Sequence, residues 1–154
     1  MIEAMGLRPT PNKIKFEAEE DMTYAKSRSS KLSTVECSFY DLQCMFGKPA
    51  FEGKGDNITT EFLVNYEAYI SDEMGVEEIM GQFRLYDWYY SRDFNDDYKD
   101  ITWNIGGNSF EDEEHFRIAL KLFQDTDIRY GSSYPEPCIA TEEYIEINNY
   151  EEAA

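Results

Sequence analysis

Histidine occurs once in the 154 residues, cysteine three times, and lysine and arginine together only 14 times. Each scarcity removes a class of function. General acid–base catalysis at His115 would require an orienting partner and a nucleophile that the surrounding sequence does not supply. No Cys/His group has the spacing of a zinc site. Cys37, Cys44 and Cys138 are odd in number and form no CxxC pair, which predicts reduced thiols rather than a disulfide framework. Cys37 and Cys44 bracket a short helical pattern and read as small buried hydrophobes. No apolar run is long enough to span a bilayer. The opening MIEAMGLRPTPNK lacks the apolar stretch of a secretion signal. The expectation is a cytosolic protein without a membrane partner.

Acid is what the chain has in excess. It carries 32 acidic residues and a formal charge of −18. Met1 to Ile58 holds nine acidic and eight basic residues, while Thr59 to Ala154 holds 23 and six. A field of that sign repels nucleic acid and anionic lipid and attracts basic surfaces. Disordered acidic chains are poor in aromatics, but here 16% of residues are aromatic, including 12 tyrosines. That composition predicts a folded core.

The chain divides into a loosely ordered arm (1–33) with one short strand near Lys13–Phe16, a compact α+β domain (34–130), and an acidic Tyr/Glu-rich C-terminal segment (131–154). That last segment reads either as an edge strand or as a tail. Within the domain, Ser38 and Asp41 have capping-box spacing, and Phe39, Leu42, Met45 and Phe46 recur at helical spacing before Gly47 and Pro49. Ile58 to Ile70 alternates as a half-buried strand, with Thr60, Phe62, Val64, Tyr66 and Ala68 on one face. Ser71–Ile79 reads as an acidic loop, Met80–Tyr90 as a second strand, Asp93–Asp100 as another acidic loop and Ile101–Ile105 as a third strand. Short connections make these an antiparallel meander. Gly106-Gly107 is expected to end the strand. Ser109 and Asp112 then open a helix whose acidic first turns suit the dipole, with Phe116, Ala119, Leu120 and Phe123 forming its apolar stripe. The predicted fold is therefore α+β: a short N-terminal helix, a three-stranded antiparallel meander, one packing helix and an irregular acidic C-terminal segment. Trp88 and Phe116 are both assigned to packing.

Phe46-Gly47-x-Pro49, Tyr86-Asp87-Trp88 and Trp103-x-Ile105-Gly106-Gly107 follow one another in this framework. In these motifs the stretch Ser38–Phe123 resembles a family of small, largely uncharacterised tailed-bacteriophage proteins. The resemblance implies a phage origin and expression in an infected bacterium. It carries no activity and no site residues.

The remaining motifs point away from chemistry. Asp93, Asn95 and Asp97 match part of an EF-hand loop, but Tyr98 stands where glycine is needed and Asn104 where a bidentate glutamate belongs. Gly106-Gly107 before a helix would suit a phosphate, but four acidic residues follow at once. No catalytic residue, metal ligand or cofactor is assigned, and the chain is read as a non-enzyme.

The acidic residues themselves are the candidate partner-binding surface: Asp72, Glu73, Glu77, Glu78, Asp93, Asp96, Asp97, Asp100, Glu111, Asp112, Glu113 and Glu114. Placed on one side, together with Glu61 and Glu67, they would imitate part of the charge array of duplex DNA. The leading expectation is a DNA-mimic-like anti-defence inhibitor that binds a host protein with a basic nucleic-acid-binding surface, of restriction or CRISPR type. A nucleotide-sequestering protein is the alternative, with Tyr86, Trp88, Tyr89, Tyr90 and Trp103 to stack a base but only Arg84, Arg92 and Lys99 nearby for phosphate. A structural or accessory phage protein is a further reading. No direct nucleic-acid contact is expected, and a homodimer stays open.

Overall fold

The structure, a computed structural model, describes residues 10–26, 29–55, 57–125, 137–141 and 143–147. In chain order the elements are β1 (Lys13–Ala18), β2 (Ser30–Ser38), α1 (Phe39–Phe46), β3 (Phe51–Glu52), β4 (Thr60–Asp72), β5 (Gly75–Tyr86), β6 (Asp100–Gly107), α2 (Phe110–Gln124) and β7 (Ile145–Glu146). The strands form one antiparallel sheet in the order β2-β6-β5-β4-β1-β7, with β3 against the start of β4.

This architecture overturns the expected three-stranded meander: the described residues contain a seven-stranded sheet and two helices. The three expected meander strands sit in the middle of that sheet; the short strand expected near Lys13–Phe16 joins them as β1, β7 falls in the segment read as an edge strand or a tail, and β2 and β3 were not placed from the pattern. The physical reason is length and exposure. β3 and β7 are two residues long, and β2 is mostly exposed or half-buried, so none shows the alternation that marks a strand buried on one face. A boundary at residue 33 falls inside β2, and within the segment 1–33 residues 13–18 and 30–33 are sheet.

Two loop assignments are also corrected. Residues 71–79 are not a loop, because Asp72 pairs with Gly75, Ser71 with Val76 and Tyr69 with Glu78 in a hairpin turning at Glu73-Met74. Charge density suggests a loop, but these side chains reach solvent from an extended backbone. Gly106 and Gly107 do not break β6 but are its last two paired residues, opposite Lys31 and Ser30. Their lack of a side chain reflects close approach: a Cβ at Gly107 would lie 2.7 Å from the Asp112 Cβ.

Both helices cover one face of the sheet. Phe83 at its centre meets Phe16, Phe46, Tyr66 and Phe116 at ring-centroid distances of 5.6–6.2 Å. Trp103 is buried beside Phe62 and donates from Nε1 to the Cys37 carbonyl. α1 begins where the Ser38 hydroxyl accepts from the Asp41 amide. At its end Gly47 has φ 84°, and the segment 137–141 docks there, with Cys138 N–H donating to the Cys44 carbonyl. The three thiols are free, and burial pushes Cys37 up to about 12 and Cys138 to about 11, so neither is poised as a nucleophile.

The opposite face is crossed by the chain running from β1 to β2. Glu19 N–H extends the β1–β4 ladder to the Leu63 carbonyl, and further on Lys26 N–H donates to the Gln82 side chain, which donates in turn to the Tyr24 carbonyl; Leu63 and Gln82 on this face are buried. β1 and β2 lie on opposite sides of the central strands, so the connection must pass over one face, and the helices occupy the other.

α2 is fastened by a buried polar contact. The Tyr66 hydroxyl donates to Asp112 at 2.6 Å, while the same carboxylate accepts from the amides of Asn108 and Ser109. Burial first, and this bond second, push the Tyr66 hydroxyl well above its usual range. His115 stacks on the Tyr66 ring at 4.1 Å. The Tyr66–Asp112 contact lies directly over Gly81, where any Cβ would collide with the Tyr66 ring and hydroxyl and with the Asp112 carboxylate.

Gly81→Ala is therefore expected to cost roughly 1–3 kcal/mol by overpacking. Phe116→Ala should cost about 3–5 kcal/mol. Trp88 is 41% exposed, which corrects its assignment to packing, and Trp88→Ala should cost less than about 1.5 kcal/mol. Urea unfolding of the three variants checks the order.

Candidate functional site

The most unusual surface lies where β5 ends. Asp87 follows Tyr86 and is fully buried, a costly position for a carboxylate unless its oxygens are saturated. They are: Oδ1 accepts from the amides of Thr59 (2.8 Å) and Thr60 (3.0 Å), and Oδ2 accepts from the Thr59 hydroxyl (2.7 Å) and the Arg92 amide (3.3 Å). Asp87 thus ties the start of β4 to both ends of the excursion 88–91.

Arg92 fixes the next stretch. Its Nη1 reaches Glu52 at 2.6 Å and the Thr60 hydroxyl at 2.8 Å, and Nη2 reaches Asp97 at 3.4 Å. The guanidinium carbon stands 3.5 Å from the Phe39 ring centroid and 4.1 Å from that of Phe94. A planar, weakly hydrated cation suits that sandwich, and lysine would not replace it. The rest of the loop closes locally. Asp93 and Asp96 accept from the amides of Asn95 and Tyr98, Tyr40 N–H bonds the Asp97 carbonyl, and the Tyr40 and Tyr98 rings lie 4.8 Å apart.

On this frame stand five exposed aromatic residues: Trp88, Tyr89 (70% exposed), Tyr90, Phe94 and Tyr98 (72%). Tyr89 and Tyr90 have φ of 53° and 58°. Two consecutive bulky residues in the left-handed region are backbone strain held in place by the surroundings, a pattern concentrated at working surfaces. Tyr90 Oη also donates to the Gly55 carbonyl. Among these aromatics Asp96 and Asp100 are exposed and Asp93 is half-buried.

The twelve acidic candidates fall in three places rather than one. Asp72, Glu73, Glu77 and Glu78 lie at the tip of the β4–β5 hairpin, and Asp93, Asp96, Asp97 and Asp100 lie beyond the other end of β5. An extended strand of that length separates the two sets by roughly 35–40 Å. Glu111, Asp112, Glu113 and Glu114 are in the first turns of α2, which lie near Gly81 between the other two sets. Asp112 is buried and structural, Asp97 is engaged by Arg92 and Glu113 pairs with Arg117 at 3.2 Å. Of the aromatics considered for stacking a base, Tyr86 and Trp103 are buried, leaving Trp88, Tyr89 and Tyr90 at the surface. Among the described residues no group of three or more His, Cys, Asp or Glu side chains is placed to hold a metal ion, and no helix is long and apolar enough to cross a membrane.

Pattern-reading missed the roles of Asp87 and Arg92, together with Phe94 and Tyr98. The signal was the run Trp88-Tyr89-Tyr90 beside acids, which strand alternation absorbed into β5. The motif residues gain a physical account as well. Asp87 of Tyr86-Asp87-Trp88 is held by Thr59 and Thr60, Trp103 and Ile105 of β6 are fully buried, and Gly107 lies against Asp112 of α2.

Asp87→Ala strands several buried donors and is expected to lower stability by about 3–5 kcal/mol. Arg92→Lys should cost less while altering Trp88 fluorescence. Nearby Glu61, paired with Arg84 at 3.0 Å, has its carboxyl pKa raised by burial, which outweighs the guanidinium. Its folded form holds the proton more tightly than the unfolded chain. It therefore contributes a loss of stability as pH rises out of the ordinary carboxylate range through the raised value. Glu61→Gln should flatten that part of the stability–pH curve, measured by urea unfolding from acid to neutral pH. No known protein family, curated protein or solved structure matches this chain.

Proposed function

We propose that this chain is a non-catalytic binding protein that inhibits a partner by occupying its basic, nucleic-acid-binding surface through the loop 88–100. The carrying observation is the set of five exposed aromatics interleaved with Asp93, Asp96 and Asp100 on the buried Asp87/Arg92 frame. Aromatic faces accept arginine and lysine by cation–π attraction, and the adjacent carboxylates complete the pairing with the same cations. Tryptophan and tyrosine dominate the energetics of protein interfaces because they contribute large, stiff contact area. A loop already held in shape loses little freedom on binding.

The acidic field over the last two-thirds of the chain supports rapid, salt-sensitive encounter with such a partner. The placement of the acids favours recognition centred at one end of the sheet over a continuous DNA-like array. In the infected bacterium that the motif resemblance implies, restriction and CRISPR effectors are proteins with the complementary surface.

The test is capture from lysate of bacteria carrying defence systems, comparing the unaltered protein with two variants. The unaltered protein should retain a nucleic-acid-binding protein that salt releases and DNA displaces. Asp93→Asn/Asp96→Asn/Asp100→Asn should weaken binding. Tyr89→Gly/Tyr90→Gly should weaken it by about tenfold or more while leaving stability unchanged or raising it by about 1 kcal/mol, since glycine relieves the left-handed backbone. Capture that is equal across all three proteins overturns the proposal, as does retention of a small molecule alone.

A further inference from the structure

The edge of β5 carries a second surface. Across the β4–β5 ladder, Asp87 N–H bonds the Thr60 carbonyl, whereas Leu63, opposite Arg84, gives its carbonyl to Glu19 on the other side. Groups alternate along an antiparallel ladder, so Val76, Glu78 and Met80 direct their N–H and C=O away from β4. β6 takes up such groups only from Arg84 to Tyr86, and beyond Gly107 its chain leaves to begin α2. From Val76 to Met80, no strand among the described residues pairs with that edge. The side chains of Val76, Glu78 and Met80 share one face and are all exposed, Val76 by 68% and Met80 by 66%.

We infer that the free edge of β5 at Val76–Met80 is a docking site for an extended segment of another protein. That segment pairs as an added strand and presents apolar, basic and apolar side chains at alternate positions. The alternation follows from the edge itself: apolar residues opposite Val76 and Met80, and a lysine or arginine opposite Glu78. Asp72 and Glu73 at the hairpin tip add to the attraction for a basic segment. The same charges argue against a second copy. β5 paired with β5 would set Glu77 and Glu78 of two molecules against each other, and like charges directly opposite are destabilising.

The sheet's other long edge is less receptive. β2 is interrupted by a bulge between Lys31 and Ser33, and Arg117 occupies the Thr34 carbonyl. The β5 edge lies far from the loop 88–100 along the same strand, so the two surfaces are separable by mutation.

The probe is an acetylated, amidated seven-residue peptide with valine, lysine and valine at alternate positions and threonine between them, titrated by NMR. Binding should slow hydrogen exchange at the Val76, Glu78 and Met80 amides, which exchange quickly in the free protein. Replacing the lysine with glutamate should weaken binding by about tenfold or more. N-methylation of the peptide amides that face β5 should abolish it.

Val76→Pro removes an outward-facing donor and no bond to β4, so it should keep its melting temperature and lose binding. If that variant fails to fold, the N-methylated peptide on the unaltered protein decides the matter. The inference is overturned by equal binding of the N-methylated peptide, by shifts confined to other surfaces, by absence of binding up to about 5 mM, or by dimerisation through β5. Loss of binding in Val76→Pro with the loop 88–100 still active supports this site whatever the fate of the loop reading.

Discussion

Pairing between β4 and β5 runs the full length of both strands, from Glu61–Tyr86 to Asp72–Gly75, and the rest of the sheet hangs on it. β1 and β3 pair with β4, β6 pairs with β5, and β7 and β2 join through β1 and β6. The helices depend on the same two strands, because Phe83 is the residue against which Phe46 and Phe116 both pack. Hydrophobic burial on one face provides the stabilisation, and the register decides which side chains share it.

Polar contacts then specify geometry that burial alone would leave loose. Tyr66 with Asp112 sets the entry of α2, and Asp87 with Arg92 sets the path from β5 to β6. In each, a buried charged or polar group is tolerated because donors or acceptors from several segments converge on it. The consequence at the surface is a loop whose backbone holds Tyr89 and Tyr90 in the left-handed region and turns their side chains to solvent. Acid around these aromatic residues is what the proposal of a basic complementary surface rests on.

Much of the secondary structure was legible from residue pattern. The helices at Phe39–Phe46 and Phe110–Gln124 showed apolar residues at helical spacing behind Ser38 and Ser109, and both strands of the central hairpin were visible in part. Where charge was dense the pattern misled, because acidic residues in 71–79 sit on a strand whose side chains have no need of a core. The candidate site was legible only as composition. In sequence Asp87 looks like any other acid, although among the described residues it is the acid with no exposure, while Asp112, one of the expected partner-facing residues, turns inward.

By itself the sequence determined the alternation of β4, the two amphipathic helices, the acidic balance and the aromatic richness. Each is a property of neighbours along the chain, within reach of a two- or four-residue period. Tertiary structure alone decided the seven-stranded order, the sorting of twelve acids into three separate places, the exposure of Trp88 to Tyr98 and the open edge at Val76–Met80. Those depend on which distant segments meet, such as Thr59 with Asp87 or Gly81 with Tyr66, and a distance of many residues along the chain leaves no local period to read.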